Sequence, residues 1–198
     1  MITFKNLNQE IPYQIFKTKY DDAYMAGQKV IEAVSISSYN TEMHEVDSRY
    51  VNLKFVDNDE FIFFTNYNSP KARSFSNHDQ IAASFFWSST NVQIRTRAKI
   101  RRTSNTFNQK YFSNRSKEKN ALAISSHQSN SINSYSQVKK NYDKSLRNDD
   151  LVKCPDYWGG YSFVPYYFEF WEGHESRINR REVFIKINDD WEHSFLQP

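Results

Sequence analysis

The chain has a single cysteine, Cys154, which excludes an internal disulfide and a cysteine-based zinc site. It has no long hydrophobic run. The longest are a few residues, such as Phe61–Phe64, too short for a membrane-spanning helix. The start, Met1-Ile2-Thr3-Phe4-Lys5-Asn6, lacks the apolar stretch of a signal peptide. Neither sign of charge dominates: 26 Lys+Arg stand against 23 Asp+Glu, and a net charge of +3 does not by itself imply nucleic acid. The five histidines are scattered with no metal-ligand spacing, and none lies near Cys154 in sequence, so no metal site is expected. There is neither a Gly-rich phosphate loop nor a G-x-S-x-G elbow. Glycine itself is scarce. Three of the four, Gly159, Gly160 and Gly173, lie close together, which predicts tight turns or close backbone approach around 158–174. These absences leave the expectation of a soluble, cytoplasmic domain.

What the chain does have is aromatic residues: 16 Phe, 13 Tyr and 4 Trp supply a core and argue against disorder. A length of 198 residues suits one domain, 1–198. The apolar share is only 38%, which predicts that some apolar surface is buried against a partner subunit.

Residues 1–11 read as a polar lead. From Pro12, the residues Ile15, Phe16, Tyr20, Ala23 and Tyr24 recur at helical spacing up to Gly27. Strands are predicted at 30–37, 49–56 and 60–66, the last two joined by a turn at 57–59 as a hairpin. A short helix at 71–78 and a strand at 81–87 follow. Asn91–Arg102 alternates most clearly, with Val92, Ile94, Thr96, Ala98 and Ile100 on one face. Helices are predicted at 104–113, 118–126 and 132–146, then a charged loop at 147–155. Strands close the chain at 159–164, 167–171 and 182–187. The pattern indicates a barrel-like β core with helices at its margins, mainly β with flanking helices (α+β).

Four constellations could carry chemistry. Between Asn91 and Asn120 stand nine basic residues and one acid, either a solvated face or a phosphate-binding surface. Thr65-Asn66-Tyr67-Asn68-Ser69-Pro70-Lys71-Ala72 brings hydroxyls, a lysine and a helix start together, which suits an anion. Arg49 and Lys54, five apart on one predicted strand, fall on opposite faces, so a ligand held by both wraps the strand or lies near its end. Trp158-Gly159-Gly160 and then Glu169–Arg181 set three arginines and a tryptophan beside a glycine turn, either to flank a flat aromatic ligand or to form an interface hairpin.

Taken together these segments resemble the pyridoxamine 5′-phosphate oxidase family, in order and spacing, from about Ile11 to the last residue. The resemblance rests on Arg49-Tyr50-Val51-Asn52-Leu53-Lys54, Phe64-Thr65-Asn66, Ser69-Pro70-Lys71-Ala72, Tyr111-Phe112-Ser113-Asn114-Arg115, Gln128-Ser129, Tyr157-Trp158-Gly159-Gly160, Glu169-Phe170-Trp171 and the terminal Leu196-Gln197-Pro198. It implies an FMN-binding split β-barrel and a homodimer with FMN between subunits, residues 157–198 serving dimerisation and the active site. By the same resemblance Arg49, Thr65, Ser69 and Lys71 hold the FMN phosphate and ribityl chain. Gln93, Gln128, Ser129, Trp171 and Arg181 surround the isoalloxazine. Lys54, Tyr111 and Arg115 grip the substrate phosphate, and Arg177 covers the substrate ring.

Three positions depart from the family pattern. Pro70 replaces a second phosphate-binding arginine, which removes a bidentate donor. Lys119 replaces a serine in the substrate-phosphate site. Asn179 replaces the active-site histidine, and an amide cannot carry a proton at neutral pH. The leading expectation is oxidation of pyridoxine or pyridoxamine 5′-phosphate to pyridoxal 5′-phosphate with oxygen as acceptor. The alternatives are a divergent flavin oxidoreductase acting on another substrate, and a non-catalytic protein binding FMN, pyridoxal phosphate or nucleic acid.

Overall fold

The computed structural model describes residues 1–198. A short strand, β1 (Thr3–Lys5), precedes α1 (Ile11–Met25). Pro12 stands in the first turn of α1, where its missing N–H has no partner to lose. This helix buries Tyr13, Phe16, Tyr20 and Ala23, a single face at three- and four-residue spacing. Four strands and a helix follow: β2 (Ala33–Asn40), β3 (Glu45–Asn52), β4 (Phe55–Asp57), β5 (Glu60–Asn66) and α2 (Pro70–Asn77). Then come β6 (Gln80–Trp87) and β7 (Val92–Arg102), and the helices α3 (Asn105–Ser113), α4 (Lys117–Ser125) and α5 (Tyr135–Asn148). The chain closes with β8 (Trp158–Glu172), β9 (Arg180–Ile187) and β10 (Asp190–Leu196).

All ten strands belong to one sheet, in the order β1-β4-β5-β8-β7-β6-β2-β3, with β9 and β10 added beside the second half of β8. Every pair is antiparallel except β1–β4. The fifteen residues of β8 form the spine. Its first half pairs with β5, its second half with β9, and both halves pair with β7. The aromatic residues fill the space that the curled sheet and α1 enclose. Phe16 meets Phe61 at 5.0 Å and Phe85 at 5.2 Å, edge to face, and Tyr13 meets Phe168 at 5.2 Å. No helix is long and apolar enough to cross a membrane.

Several boundaries differ from the sequence expectation. The predicted strand 49–56 is broken, because the chain changes partners there. Leu53 N–H donates to Glu32 O beside β2, whereas Lys54 N–H donates to Ile62 O on β5. The hairpin at 57–59 therefore joins β4 to β5, while β3 pairs with β2. Arg49 and Lys54 consequently do not lie on opposite faces of one strand. The first strand starts at Ala33 rather than Val30, whose φ of 49° places it in a turn. The two strands predicted at 159–164 and 167–171 are one. Pro165, which has no N–H to donate, sits where the β7–β8 register slips by a residue. The lead is not free, since β1 pairs with β4 and Ile2 is buried. β10 escaped the sequence reading because its residues are mostly exposed and polar, so it shows no apolar alternation.

Candidate active site

The first cluster lies at the β3 end of the sheet. Arg49 of β3 donates through Nη1 to Ser38 Oγ at 2.8 Å and Ile36 O at 3.2 Å. Its Nη2 stands 3.4 Å from the exposed carboxylate of Asp47. Lys71, in the first turn of α2, is only 8% exposed. Its ammonium donates to Thr65 Oγ1 and Ser69 Oγ, both at 3.4 Å, and pairs with no carboxylate. Burial, and then the charge of Arg49, push Lys71 down from 10.5 to about 8. Ser69 is the residue that caps α2, and its hydroxyl donates to Asn66 O at 2.7 Å. Two neighbouring cations, one of them buried and unneutralised, with hydroxyls at a helix start, fit a dianionic phosphate.

A second cluster adjoins it. Thr65 Oγ1 donates to Gln128 Oε1 at 3.1 Å, which ties the loop after α4 to the end of β5. Beside this bond a cavity of about 220 Å³ is lined by Phe64, Arg115, Lys119, Gln128 and Trp158 among others. Two of its lining rings belong to a stack: Trp158 lies parallel to Phe64 at 5.2 Å, and Tyr111 packs parallel on Phe64 at 3.8 Å. The Arg115 guanidinium lies 5.1 Å from the Trp158 ring and donates to Lys119 O and Asn120 Oδ1 at 2.8 and 3.2 Å. Burial lowers the basicity of both Arg115 and Lys54. For Lys54 the carboxylate of Glu32 opposes that trend, and the charges of Lys119 and Arg115 add to it. Two cations thus line the cavity, and Lys54 stands close enough to feel the charge of both. Burial also holds the Tyr111 phenol above its ordinary value, with Arg115 opposing.

The remaining residues lie elsewhere. Gln93, Trp171 and Arg181 form one row across β7, β8 and β9. The row of Arg49 runs through Ile36, Ala83, Thr96 and Phe168, all buried in the core. Gln93 is three residues from Thr96, and Trp171 three from Phe168. Odd separation on a strand puts the two rows on opposite faces of the sheet. Within one chain they do not converge. Ser129 (φ 70°) follows Gln128 but lines a different cavity, of about 310 Å³, against α4 and α5.

Arg177 and Asn179 sit in the turn from β8 to β9, next to the Trp171–Arg181 pair. The two lie two residues apart, but the segment between them is not extended, so their side chains do not share one strand face. Arg177 has φ of 61°, and its N–H donates to His174 O at 2.9 Å. Asn179 Oδ1 accepts from His174 N–H at 3.0 Å, so its amide braces the turn. The basic strand face is also largely neutralised. Arg95 meets Glu169 at 3.0 Å, Lys99 meets Asp79 at 2.6 Å, and Arg101 pairs with Glu60. Arg97 and Arg102 lie over Tyr167 and Tyr67. Of the nine basic residues only Arg115 and Lys119 line the 220 Å³ cavity. The sequence offered Trp158 only as part of a Trp-Arg constellation and gave Phe64 no role of its own in this wall. The available signal was two short motifs, Phe64-Thr65-Asn66 and Trp158-Gly159-Gly160, which pair strand to strand.

Solved structures share this architecture. PhzG from Burkholderia lata 383, in complex with tetrahydrophenazine-1-carboxylic acid, matches with a TM-score of 0.89 at 23% identity, covering 94% of this chain and 92% of that one. A pyridoxamine 5′-phosphate oxidase-related, FMN-binding protein from Nostoc punctiforme PCC 73102 gives 0.79 at 9% identity, covering 96% and 99%. At such identities the likeness is one of fold, and that fold is the FMN-binding split barrel. Sequence narrows the class. Residues 158–198 match the pyridoxine 5′-phosphate oxidase C-terminal dimerisation region. The pyridoxine/pyridoxamine 5′-phosphate oxidase of Aliarcobacter butzleri (strain RM4018) is 33% identical over 201 residues, spanning 100% of this chain and 93% of that protein. Its namesake in Coxiella burnetii (strain RSA 493 / Nine Mile phase I) is 31% identical over 188 residues, spanning 94% and 95%. The chain belongs to the pyridoxine/pyridoxamine 5′-phosphate oxidase family.

Proposed function

We propose that the protein is an FMN-dependent oxidase that converts pyridoxine or pyridoxamine 5′-phosphate to pyridoxal 5′-phosphate and passes electrons to oxygen, releasing hydrogen peroxide. The observation that carries this reading is the pair of adjoining cationic sites, Arg49 with Lys71 and Lys54 with Arg115 and Lys119, joined by the Thr65–Gln128 bond. Two sites of this kind suit two phosphates, one on the cofactor and one on the substrate. The chemistry that FMN supplies when bound is two-electron oxidation of the substrate.

The chain's own residues bind and orient. Arg49 and Lys71 neutralise the cofactor phosphate, with Thr65 and Ser69 as hydroxyl partners. Lys54, Arg115, Lys119 and Tyr111 hold the substrate phosphate, and the Phe64–Trp158 wall keeps water from that side of the cavity. Gln93, Trp171 and Arg181, with Gln128 and Ser129, surround the flavin ring. Arg177 lies over the substrate ring with Asn179 beside it. Because the Arg49 and Trp171 rows face opposite ways, the site is complete only when a second copy brings its 157–198 segment to the first. The functional unit is therefore a homodimer of single-domain chains. In the β8–β9 turn Asn179 Oδ1 takes the His174 N–H, and His174 Nδ1 takes the Ser176 N–H at 3.1 Å, so neither of these two atoms is free to accept a proton.

That turn favours a second reading, in which a divergent oxidoreductase acts on another anionic, reduced heteroaromatic substrate. Pro70, which offers no guanidinium to the cofactor phosphate, points the same way. The deciding experiment measures FMN uptake by absorbance, then peroxide release with each vitamin B6 phosphate. The expected result is a yellow protein that turns over at least one of them. FMN-loaded protein that oxidises neither would refute the vitamin B6 assignment in favour of the second reading, and a colourless protein that takes up no FMN would refute both.

A further inference from the structure

Glu169 stands on the outward face of β8 and is only 2% exposed. The proposed chemistry makes no use of it. Its Oε1 accepts from Nε and Nη2 of Arg181 at 2.9 and 2.8 Å. Its Oε2 accepts from Arg95 Nη1 at 3.0 Å and from the Tyr167 hydroxyl at 2.9 Å. Arg95 lies directly opposite Glu169 on β7. Arg181 reaches across from the next row, where it stands beside Trp171. Its remaining Nη1 donates to Gln197 O at 3.0 Å, so its guanidinium is fixed on three sides. Burying a carboxylate is unfavourable, and an apolar group in its place is often as stable or more so. A fully enclosed carboxylate between two arginines therefore calls for a role beyond stability.

We propose that Glu169 is a positioning residue that holds Arg181 beside the flavin ring and offsets its charge, and so sets the reduction potential of bound FMN. The inference rests on the reading above that Gln93, Trp171 and Arg181 surround that ring. Reduced flavin carries more negative charge than oxidised flavin, so a cation beside the ring favours reduction. Glu169 tempers that field, and Arg95 in turn tempers Glu169.

The test is the midpoint potential of the FMN-loaded protein, measured by reductive titration against a reference dye in wild type, Glu169→Gln, Arg95→Gln and Tyr167→Phe. Glu169→Gln keeps an acceptor for Arg181 but removes the charge. It is expected to raise the ratio of reduced to oxidised FMN affinity on the order of tenfold, a positive shift of about 30 mV for a two-electron couple. Arg95→Gln is expected to shift the potential the opposite way. Tyr167→Phe removes a hydrogen bond to the same carboxylate without a charge and is expected to leave the potential in place. Wild-type potentials in both charge variants overturn the proposal, and so does a Tyr167→Phe shift as large as that of Glu169→Gln. Should Glu169→Gln not fold, a wild-type potential in Arg95→Gln overturns it alone. Wild-type protein that takes up no FMN overturns instead the reading on which the proposal rests.

Discussion

A lysine that is 8% exposed, with only two hydroxyls at 3.4 Å and no carboxylate, destabilises the folded chain until an anion arrives. Lys71→Met should therefore raise the melting temperature of the ligand-free protein, by about 2–4 °C for each kcal/mol relieved, while weakening FMN binding at least tenfold. Calorimetry and FMN fluorescence titration check the two halves. The pH dependence has a definite sign. In the folded chain Lys71 loses its proton near 8, but in the unfolded chain near 10.5. Between those values the unfolded state binds more protons, so ligand-free stability rises with pH across that window. Phosphate binding requires the ammonium, so FMN affinity should fall about tenfold per pH unit above about 8. A flat affinity from pH 7 to 9.5 would remove Lys71 from the phosphate site. At the second cluster, Lys119→Ser should raise KM for a vitamin B6 phosphate several-fold with kcat little changed, since it removes an attraction that the ground state and the transition state share equally. Parts of both cationic clusters were legible in short motifs, Thr65–Lys71 and Arg115–Lys119, because neighbours in sequence stay neighbours around a helix start, whereas Arg49 and Lys54 join them from outside those motifs. The bracing role of Asn179 was not legible. It depends on the left-handed φ of Arg177, which no side-chain pattern reports.

Among the elements, β8 does most to set the site. Its start passes so close to α3 that a side chain does not fit. A Cβ on Gly159 would lie 2.5 Å from Asn108 Nδ2 and collide with the Tyr67 hydroxyl. Those groups form a network in which Asn108 Nδ2 donates to Tyr67 OH, Tyr67 OH donates to Gly160 O, and Gly160 N–H donates to Asn108 Oδ1. Gly159→Ala should lower stability by about 1–3 kcal/mol through overpacking and should loosen the Trp158 wall. Thermal melts and substrate KM check both effects, and a wild-type melt would show that the network yields without strain. The scarcity of glycine announced this crowding in the sequence, although not its partner. Strand alternation was legible wherever one face is core, as in β7. It failed where a strand switches partners at Leu53–Lys54, and at β10, where little is buried.

For the molecule as a whole, the separation of the Arg49 and Trp171 rows onto opposite faces is the observation on which the proposed dimeric site rests. Composition hinted at a buried partner surface, but the opposition of the rows becomes visible only once the register of six strands is known. The most direct measurement is FMN stoichiometry in mixed dimers. Lys71→Met and Trp171→Ala chains carry different tags, are co-expressed, and the doubly tagged dimers are isolated. Each homodimer variant should bind FMN poorly at both sites. In the mixed dimer one site collects both substitutions and the other collects neither, so the prediction is one tightly bound FMN per dimer. Mixed dimers that bind no more FMN than the two parent variants would contradict the account.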